Sequence, residues 1–172
     1  YKRQASCRGR VMEYALRLSH SASWLRCAAF IQVSSTPQAV ALEAEGDHTV
    51  REEGTAMHEA AHALLVGVPV AAGQVMSNGV MLDDAMLDGV EFYVEYIRHL
   101  EPDLSQWHFE KQLPANWIHP KCGGTPDAFK RNISRRRITI PDFKGGYVPV
   151  EVYRNPQLCG YAAAVAEFYG VI

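Results

Sequence analysis

The sequence lacks several features that would place it in a familiar class of protein at once. Its four cysteines, Cys7, Cys27, Cys122 and Cys159, lie far apart, and this spacing is typical neither of a zinc ribbon nor of a dense disulfide framework. No apolar run approaches the roughly 20 residues of a membrane-spanning helix, and the first residues lack the apolar core of a signal peptide. We therefore expect a soluble cytoplasmic protein with reduced cysteines and no contact with a membrane.

The net charge gives no global sign of a nucleic-acid-binding protein. The 172 residues carry 17 Lys and Arg against 19 Asp and Glu, for a formal charge of -2. Any attraction for phosphate must therefore come from a local basic patch or from a bound metal ion. The run Arg135-Arg136-Arg137, with Lys130 and Arg131 nearby, indicates either phosphate contacts along a nucleic acid or simply a solvated hairpin.

The length is that of one compact domain, and we expect a single domain over residues 1–172 with an irregular N-terminal segment and short helices over residues 1–50. The chain opens on Tyr1 rather than Met and stops at Ile172 just after a helical pattern. The expectation therefore includes a domain that is truncated after residue 172.

Hydrophobic periodicity predicts three principal helices. Residues 56–66 are rich in good helix formers and follow two glutamates suited to the positive end of a helix dipole. Residues 83–100 and 155–169 carry apolar side chains at helical spacing. In the first of these two segments the apolar side chains predict core packing along one face: Met86, Val90, Tyr93, Val94, Ile97 and Leu100.

Between the last two helices the sequence becomes typical of strands. Aromatic and β-branched residues predict strands over 107–113, 124–129 and 137–143. The basic stretch 130–136 predicts a hairpin between the second strand and the third. The predicted order is helix, helix, three strands, helix.

The first candidate site reads H-E-A-A-H at residues 58–62 and matches H-E-x-x-H on a helix. Two histidines at this spacing share one zinc ion in metallopeptidases, where the glutamate acts as the base. A catalytic zinc needs a third protein ligand, and the next helix offers Glu91 or Glu95 without a reason to favour either. A zinc peptidase using His58, Glu59 and His62 stays open as an alternative.

The second candidate site is Asp127, followed after fourteen residues by Asp142-Phe143-Lys144. Two acids on adjacent strands of a hairpin would converge on one hard cation such as Mg²⁺ or Mn²⁺. Lys144 would then face the same side as Asp142, because strand side chains alternate. An ammonium there would orient or help deprotonate an attacking water and offset charge on a phosphate. A metal ion would lower the pKa of that water, so the pattern indicates phosphodiester hydrolysis.

The residues around these acids resemble the RecB-like exonuclease branch of the PD-(D/E)XK nuclease superfamily, as found in phage and prophage proteins. That branch is marked by four motifs in order, and this chain has all four: Gly54-x-x-x-His58, Gly124-x-x-Asp127, Asp142-x-Lys144 and Gln157-x-x-x-Tyr161. The resemblance runs from about Ser21 to Ile172. It includes S-W-L-R-C at 23–27, E-G-T-A-x-H-E at 53–59, V-P-V-E at 148–151 and N-P-Q-L at 155–158.

The resemblance implies roles for the charged residues of the motifs. His58 would be a metal ligand from the first helix. Asp127 and Asp142 would share the cation. Lys144 would be the catalytic lysine.

Four further roles follow from the same resemblance. The backbone carbonyl of Phe143 and the side chain of Glu110 would complete the metal shell. Gln157 and Tyr161, one helical turn apart, would lie beside the site and contact the DNA backbone or the water at the metal ion.

The resemblance also implies a fold and a function. The fold would be an α/β domain of the restriction-endonuclease-like kind, with a central mixed β-sheet flanked by helices. The function would be Mg²⁺- or Mn²⁺-dependent cleavage of DNA as an exonuclease, in phage DNA processing or recombination in the host cytoplasm. Phage recombination or assembly proteins would be partners, and the sequence does not indicate an oligomeric state. A catalytically inactive nuclease fold that binds nucleic acid or acts as a scaffold is a further alternative.

Three features depart from the family pattern. The pattern does not ask for His62, which we interpret as a chance residue on the helix. The strand expected after the last helix is represented only by Val171-Ile172. Some relatives hold an iron–sulfur cluster through one upstream cysteine and a C-terminal trio that this chain lacks. We therefore expect no cluster, and cysteines that are buried as small hydrophobic residues.

Overall fold

The computed structural model describes residues 14–27, 29–145 and 150–171. The sequence features at Cys7, at 148–149 and at Ile172 lie outside the described residues. The described helices are α1 (Ser21–Trp24), α2 (Phe30–Ser34), α3 (Pro37–Ala44), α4 (Thr49–Leu65), α5 (Asp84–Leu100) and α6 (Pro156–Phe168). The described strands are β1 (Leu16–Arg17), β2 (His108–Phe109), β3 (Leu113–Pro114), β4 (Cys122–Gly124), β5 (Ala128–Asn132) and β6 (Arg137–Thr139).

These elements confirm the α/β class, but the described strands form two small sheets where one central sheet was expected. In the first sheet, of order β1-β4-β3, β1 runs parallel to β4 and β3 runs antiparallel to it. In the second sheet, of order β2-β5-β6, both pairings are antiparallel. The first sheet is therefore mixed, and the chain passes directly from one sheet to the other between β4 and β5.

Two of the three predicted strands are interrupted. The strand predicted over 107–113 is broken at Glu110, whose φ of 44° lies in the left-handed region. The strand predicted over 124–129 is broken at the buried Pro126, which has no N–H to donate to a neighbouring strand. The prediction of three strands is wrong for this reason, and it also missed the two-residue β1.

The predicted hairpin is present between β5 and β6, with Lys130 opposite Thr139 and Asn132 opposite Arg137. Its turn is shorter than the basic stretch suggested, because the first three residues of that stretch belong to β5. Arg136 occupies the turn with a φ of 48°.

The first part of the core forms where α4 packs against α5. Asp83 caps α5 by accepting a 2.7 Å hydrogen bond from the N–H of Met86. The face predicted from periodicity is buried at Val90, Tyr93, Val94 and Ile97. Alanines make up much of the opposing face of α4, and these small side chains let the two helices approach closely: Ala56, Ala60 and Ala61.

The second part of the core forms where α6 packs against the first sheet. Asn155 caps α6, and its side chain accepts from the N–H groups of Gln157 and Leu158 at 2.9 and 3.2 Å. The helix buries Tyr161 close to β4, at a position where a Cβ on Gly124 would lie only 2.8 Å from the Tyr161 ring. Gly124 therefore serves the packing of α6 against β4.

The structure also bears on the expectations about membrane-spanning helices and about the cysteines. In the part of the chain that the structure describes, no helix combines the length and the apolar character that crossing a membrane requires. Cys122 is buried as expected, but Cys27 and Cys159 are exposed. The prediction of buried cysteines is wrong for these two because they lie on outward-facing surfaces, Cys159 beside the packed face of α6 and Cys27 beyond the end of α1.

Candidate metal centre

Three side chains with metal-binding atoms converge beside the middle of α4. The Nδ1 atom of His58 lies 3.3 Å from Oδ1 of Asp127 and 4.0 Å from Oε1 of Glu110. One ligand atom from each of the three residues lies within 4.8 Å of the others. Because Mg²⁺ and Ca²⁺ bind oxygen at about 2.0 to 2.6 Å, a single cation between them would reach all three.

The backbone explains why these residues meet. Asp127 directly precedes β5 and Glu110 directly follows β2, the strand that pairs with β5. The N–H of Glu110 donates a 3.1 Å hydrogen bond to the carbonyl of Asp127, which continues the pairing by one step. His58 reaches the same point from the interior of α4, and its side chain is 31% exposed.

Phe143 forms part of the wall of the site. Its N–H donates a 2.6 Å hydrogen bond to Oδ2 of Asp127. Its ring stacks on Tyr93 with centroids 4.8 Å apart, and it lies 5.4 Å from the imidazole of His58. The backbone N–H of Phe143 thus orients the carboxylate of Asp127, while ligand roles for Asp127 and for the carbonyl of Phe143 stay predictions.

Asp142 lies on the other side of Phe143, where two donors hold its carboxylate. Lys144 Nζ is 2.8 Å from Oδ2, and the amide of Gln157 donates to Oδ1 at 3.1 Å. The same amide lies 3.4 Å from the hydroxyl of Tyr161. The structure thus places Gln157 and Tyr161 beside the acids, as the four-motif pattern implies. Asp142, however, contacts Lys144 and Gln157, and it is not part of the group formed by His58, Glu110 and Asp127.

The expectation that both acids lie on adjacent strands of a hairpin is wrong in detail. Asp127 lies one residue before β5, and Asp142 lies three residues beyond β6. The hydrogen bond from Phe143 to Asp127 joins these two irregular segments, which is why the acids still approach each other outside the strands.

Burial and neighbouring charges shift the pKa values of three groups in the site. Burial, assisted by the charge of Asp127, raises the pKa of Glu110 to about 7. Burial also raises the pKa of Asp142, although Lys144 opposes the shift. Burial acts to lower the pKa of His58, but its hydrogen bond to Asp127 and the carboxylate charges outweigh that effect and leave the pKa raised. A cation bound at this point would favour the ionised form of both carboxyl groups.

An open cleft of about 670 Å³ gives access to the centre. His58, Glu110 and Lys144 all line it, and Gly54 lines it one helical turn before His58. A Cβ at Gly54 would meet nothing within 4 Å, so the glycine leaves free space rather than accommodating a neighbour.

The residues of the zinc-peptidase alternative are arranged differently. Glu59 accepts hydrogen bonds from the hydroxyl and N–H of Ser77 at 2.6 and 3.1 Å. Glu91 and Glu95 are exposed on α5. Over the described ranges, the converging group of potential ligands contains His58 but not His62 or either of these glutamates.

The basic run is only partly available to a ligand. Lys130 is 7% exposed, lies 2.6 Å from Glu101 and sits over the Trp107 ring. Arg131 donates to the carbonyl of Tyr169 at 3.3 Å. These two residues are therefore structural, contrary to the expectation that they lie free beside the three exposed arginines at 135–137.

Sequence reasoning missed one residue of the site. Tyr93 was assigned to the core from the apolar stripe of α5, and its ring is indeed buried there. The hydroxyl, however, is close enough to the carboxylates of Asp127, Glu110 and Asp142 for their charge to raise its pKa further, after burial. A tyrosine within an otherwise apolar stripe was the available signal.

Comparison with known proteins gives a family and no described activity. The family model DUF2800, described as a protein of unknown function, matches residues 15–172. No curated protein and no solved structure matches the chain. Since the family match covers almost the whole sequence, the chain belongs to the DUF2800 family.

Proposed function

We propose that this protein is a divalent-metal-dependent nuclease of the PD-(D/E)XK kind. The observation that carries the proposal is the convergence of His58, Glu110 and Asp127 within 4.8 Å, next to the Asp142–Lys144 pair. One imidazole and two carboxylates suit Mg²⁺ or Mn²⁺ better than a soft metal ion.

The residues divide the work between them. His58, Glu110 and Asp127 would hold the cation, which when bound polarises a phosphoryl oxygen and lowers the pKa of a water. Lys144 lines the cleft with its side chain 42% exposed, and Asp142 holds its ammonium in place. From that position Lys144 would bind the scissile phosphate and offset the charge that builds on it during attack.

Gln157 supports this arrangement from α6. Its amide donates to Asp142, so Asp142 has one oxygen for Lys144 and one for Gln157. Asp142 is thereby kept from rotating away from the lysine. The finer identity of the reaction, exonuclease action on DNA in phage DNA processing in the host cytoplasm, rests on the four-motif resemblance.

A cleavage assay with Mn²⁺ and with Mg²⁺ tests the proposal. The purified full chain should degrade linear DNA, and Lys144→Ala should lower the rate by about 10²- to 10⁴-fold. Lys121→Ala removes an exposed lysine elsewhere and should cleave like the wild type.

The alternatives give different results. A zinc peptidase would leave the DNA intact, and its cleavage of a peptide substrate would be lost with Glu59→Ala and kept with Asp142→Ala. Salt-sensitive DNA binding without cleavage by the wild type would overturn the nuclease and favour a nucleic-acid-binding fold.

A further inference from the structure

Tyr93 carries a buried hydroxyl that has no hydrogen-bond partner among the residues the structure describes. The residue is 7% exposed, and its ring is held between α5 and Phe143 with an interplanar angle of 18°. Buried polar groups almost always have a hydrogen-bond partner. An unpaired buried hydroxyl therefore indicates a partner that is not a protein atom, such as a bound water molecule.

A small cavity lies at this residue, behind the metal centre. It has a volume of about 10 Å³, and its polar lining consists of Tyr93, His58, His62, Glu110 and Asp127. A space of this size holds about one water molecule, provided that two to four polar partners surround it. The lining supplies both carboxylate acceptors and a hydroxyl donor.

The state of the hydroxyl suits a donor role. A tyrosine hydroxyl has an ordinary pKa of about 10, so it keeps its proton at neutral pH. A neutral hydroxyl beside carboxylates donates its hydrogen bond toward them, directly or through a water.

We propose that Tyr93 is a positioning residue of the metal centre, acting through one water in this cavity. Its hydroxyl donates to the water, and the water donates to the carboxylates of Glu110 and Asp127. The two ligands are thereby held in orientations that serve one cation. The inference rests on the proposed metal centre but not on cleavage of DNA.

This arrangement also assigns a structural role to His62. The histidine that completes the H-E-x-x-H pattern lines the water-sized cavity together with Tyr93. It closes the space behind the ligands. This role of His62 does not involve a zinc ion.

The test is the affinity of the full chain for Mn²⁺, measured by titration calorimetry or by the signal of free Mn²⁺ in electron paramagnetic resonance. Tyr93→Phe keeps the stacked ring and removes the hydroxyl. Loss of a group that orients a metal ligand typically weakens binding by about 10- to 100-fold, which is the expected change. The melting temperature without metal should not fall, because the hydroxyl removed has no protein partner.

Tyr14→Phe is the matched control. Tyr14 also has a buried hydroxyl without a partner among the described residues, but it lies against β4 at Gly123, away from the carboxylates. Its replacement should leave the Mn²⁺ affinity unchanged. Equal affinity for Mn²⁺ in wild type and Tyr93→Phe would overturn the inference.

A second variant keeps the test independent of Tyr93 itself. Ala61 lines the same cavity, and Ala61→Val fills it while leaving the hydroxyl in place. Because Ala61 also packs in the core between α4 and α5, the metal-free melting temperature of this variant is compared with that of the wild type before Mn²⁺ is added. Ala61→Val should weaken Mn²⁺ binding as Tyr93→Phe does, and unchanged binding would show that no water acts there. A wild type that does not bind Mn²⁺ would overturn the metal centre and this inference together. A wild type that binds Mn²⁺ but leaves DNA intact would overturn the nuclease alone.

Discussion

The backbone N–H of Phe143 donates a 2.6 Å hydrogen bond to Oδ2 of Asp127, sixteen residues earlier in the chain. The other oxygen of the same carboxylate faces His58 at 3.3 Å. Asp127 therefore joins two irregular segments of the fold and also belongs to the proposed metal centre. An acceptor oxygen is enough to join the two segments, whereas binding of a cation requires the negative charge.

Substitution of Asp127 should separate these tasks. Asp127→Asn keeps an acceptor for the N–H of Phe143, so the metal-free protein should unfold at nearly the wild-type urea concentration. Asp127→Ala leaves that N–H without an acceptor and should lower the free energy of unfolding by about 1–3 kcal/mol. Mn²⁺ should raise the melting temperature of the wild type, and both variants should lose this rise. Equal destabilisation by Asn and Ala would show that the hydrogen bond from Phe143 to Asp127 does not contribute to stability.

Strong local patterns made the helices predictable. The boundaries of α5 and α6 follow from Asp83 and Asn155, whose side chains cap the first turn, and from long apolar stripes that only a helix places on one face. The α/β class followed from the same reasoning. The motif residues that the sequence singled out lie near one another, and their chemical roles remain predictions.

The strands were less predictable because they are short and depend on distant partners. The pairing of β1 with β4 joins Leu16 to Cys122, and no local pattern of two residues encodes it. The left-handed conformation of Glu110 was likewise not marked by any local pattern in the sequence. Lys130 was misassigned because its charge suggests solvent, whereas Glu101, 29 residues earlier, makes burial possible.

Replacing Gly54 by alanine should stabilise the fold and slow the cleavage of DNA. It lies inside α4, where alanine is favoured over glycine by about 0.8–1.0 kcal/mol, and the added Cβ would meet nothing within 4 Å. Gly54→Ala should therefore raise the free energy of unfolding by up to that amount. Because the methyl group enters the cleft beside His58, cleavage of DNA should slow. Unchanged cleavage kinetics would mean that the substrate does not approach α4 at this turn.

The pair of Glu101 and Lys130 predicts a dependence of stability on pH. The hydrogen bond from Lys130 holds the pKa of Glu101 below its ordinary value of 4.5. A carboxyl whose pKa is lower in the folded state stabilises the fold above the unfolded pKa, and this contribution is lost as the pH falls through the folded pKa. Protonation leaves the buried ammonium of Lys130 without its partner.

Melting temperatures measured from about pH 7 down to pH 3 would check this. Glu101→Gln should lower the melting temperature at neutral pH and flatten its fall in acid. The double variant Glu101→Gln, Lys130→Met removes both partners and should recover much of the stability at pH 7. A wild type and a Glu101→Gln variant with parallel curves would contradict the assignment.

The exposed arginines of the β5–β6 hairpin should contribute to DNA binding through phosphate contacts. Arg135 and Arg137 line a polar pocket of about 280 Å³, and neither forms an ion pair with a described residue. β5 runs from beside Asp127 to Asn132, so at about 3.3 Å per residue the turn lies roughly 16 Å from the metal centre. A DNA strand leaving the cleft toward the hairpin would meet these side chains.

The measurement is the slope of log affinity against log salt concentration, taken in EDTA so that no cleavage takes place. Each lost phosphate contact reduces the slope by about 0.9 for duplex DNA or about 0.7 for a single strand. Arg135→Gln, Arg137→Gln should therefore reduce it by about 1.4 to 1.8. The Glu101→Gln, Lys130→Met variant should keep the wild-type slope, because the charge of Lys130 is already balanced by Glu101. An unchanged slope in the arginine variant would place the DNA on another face of the protein.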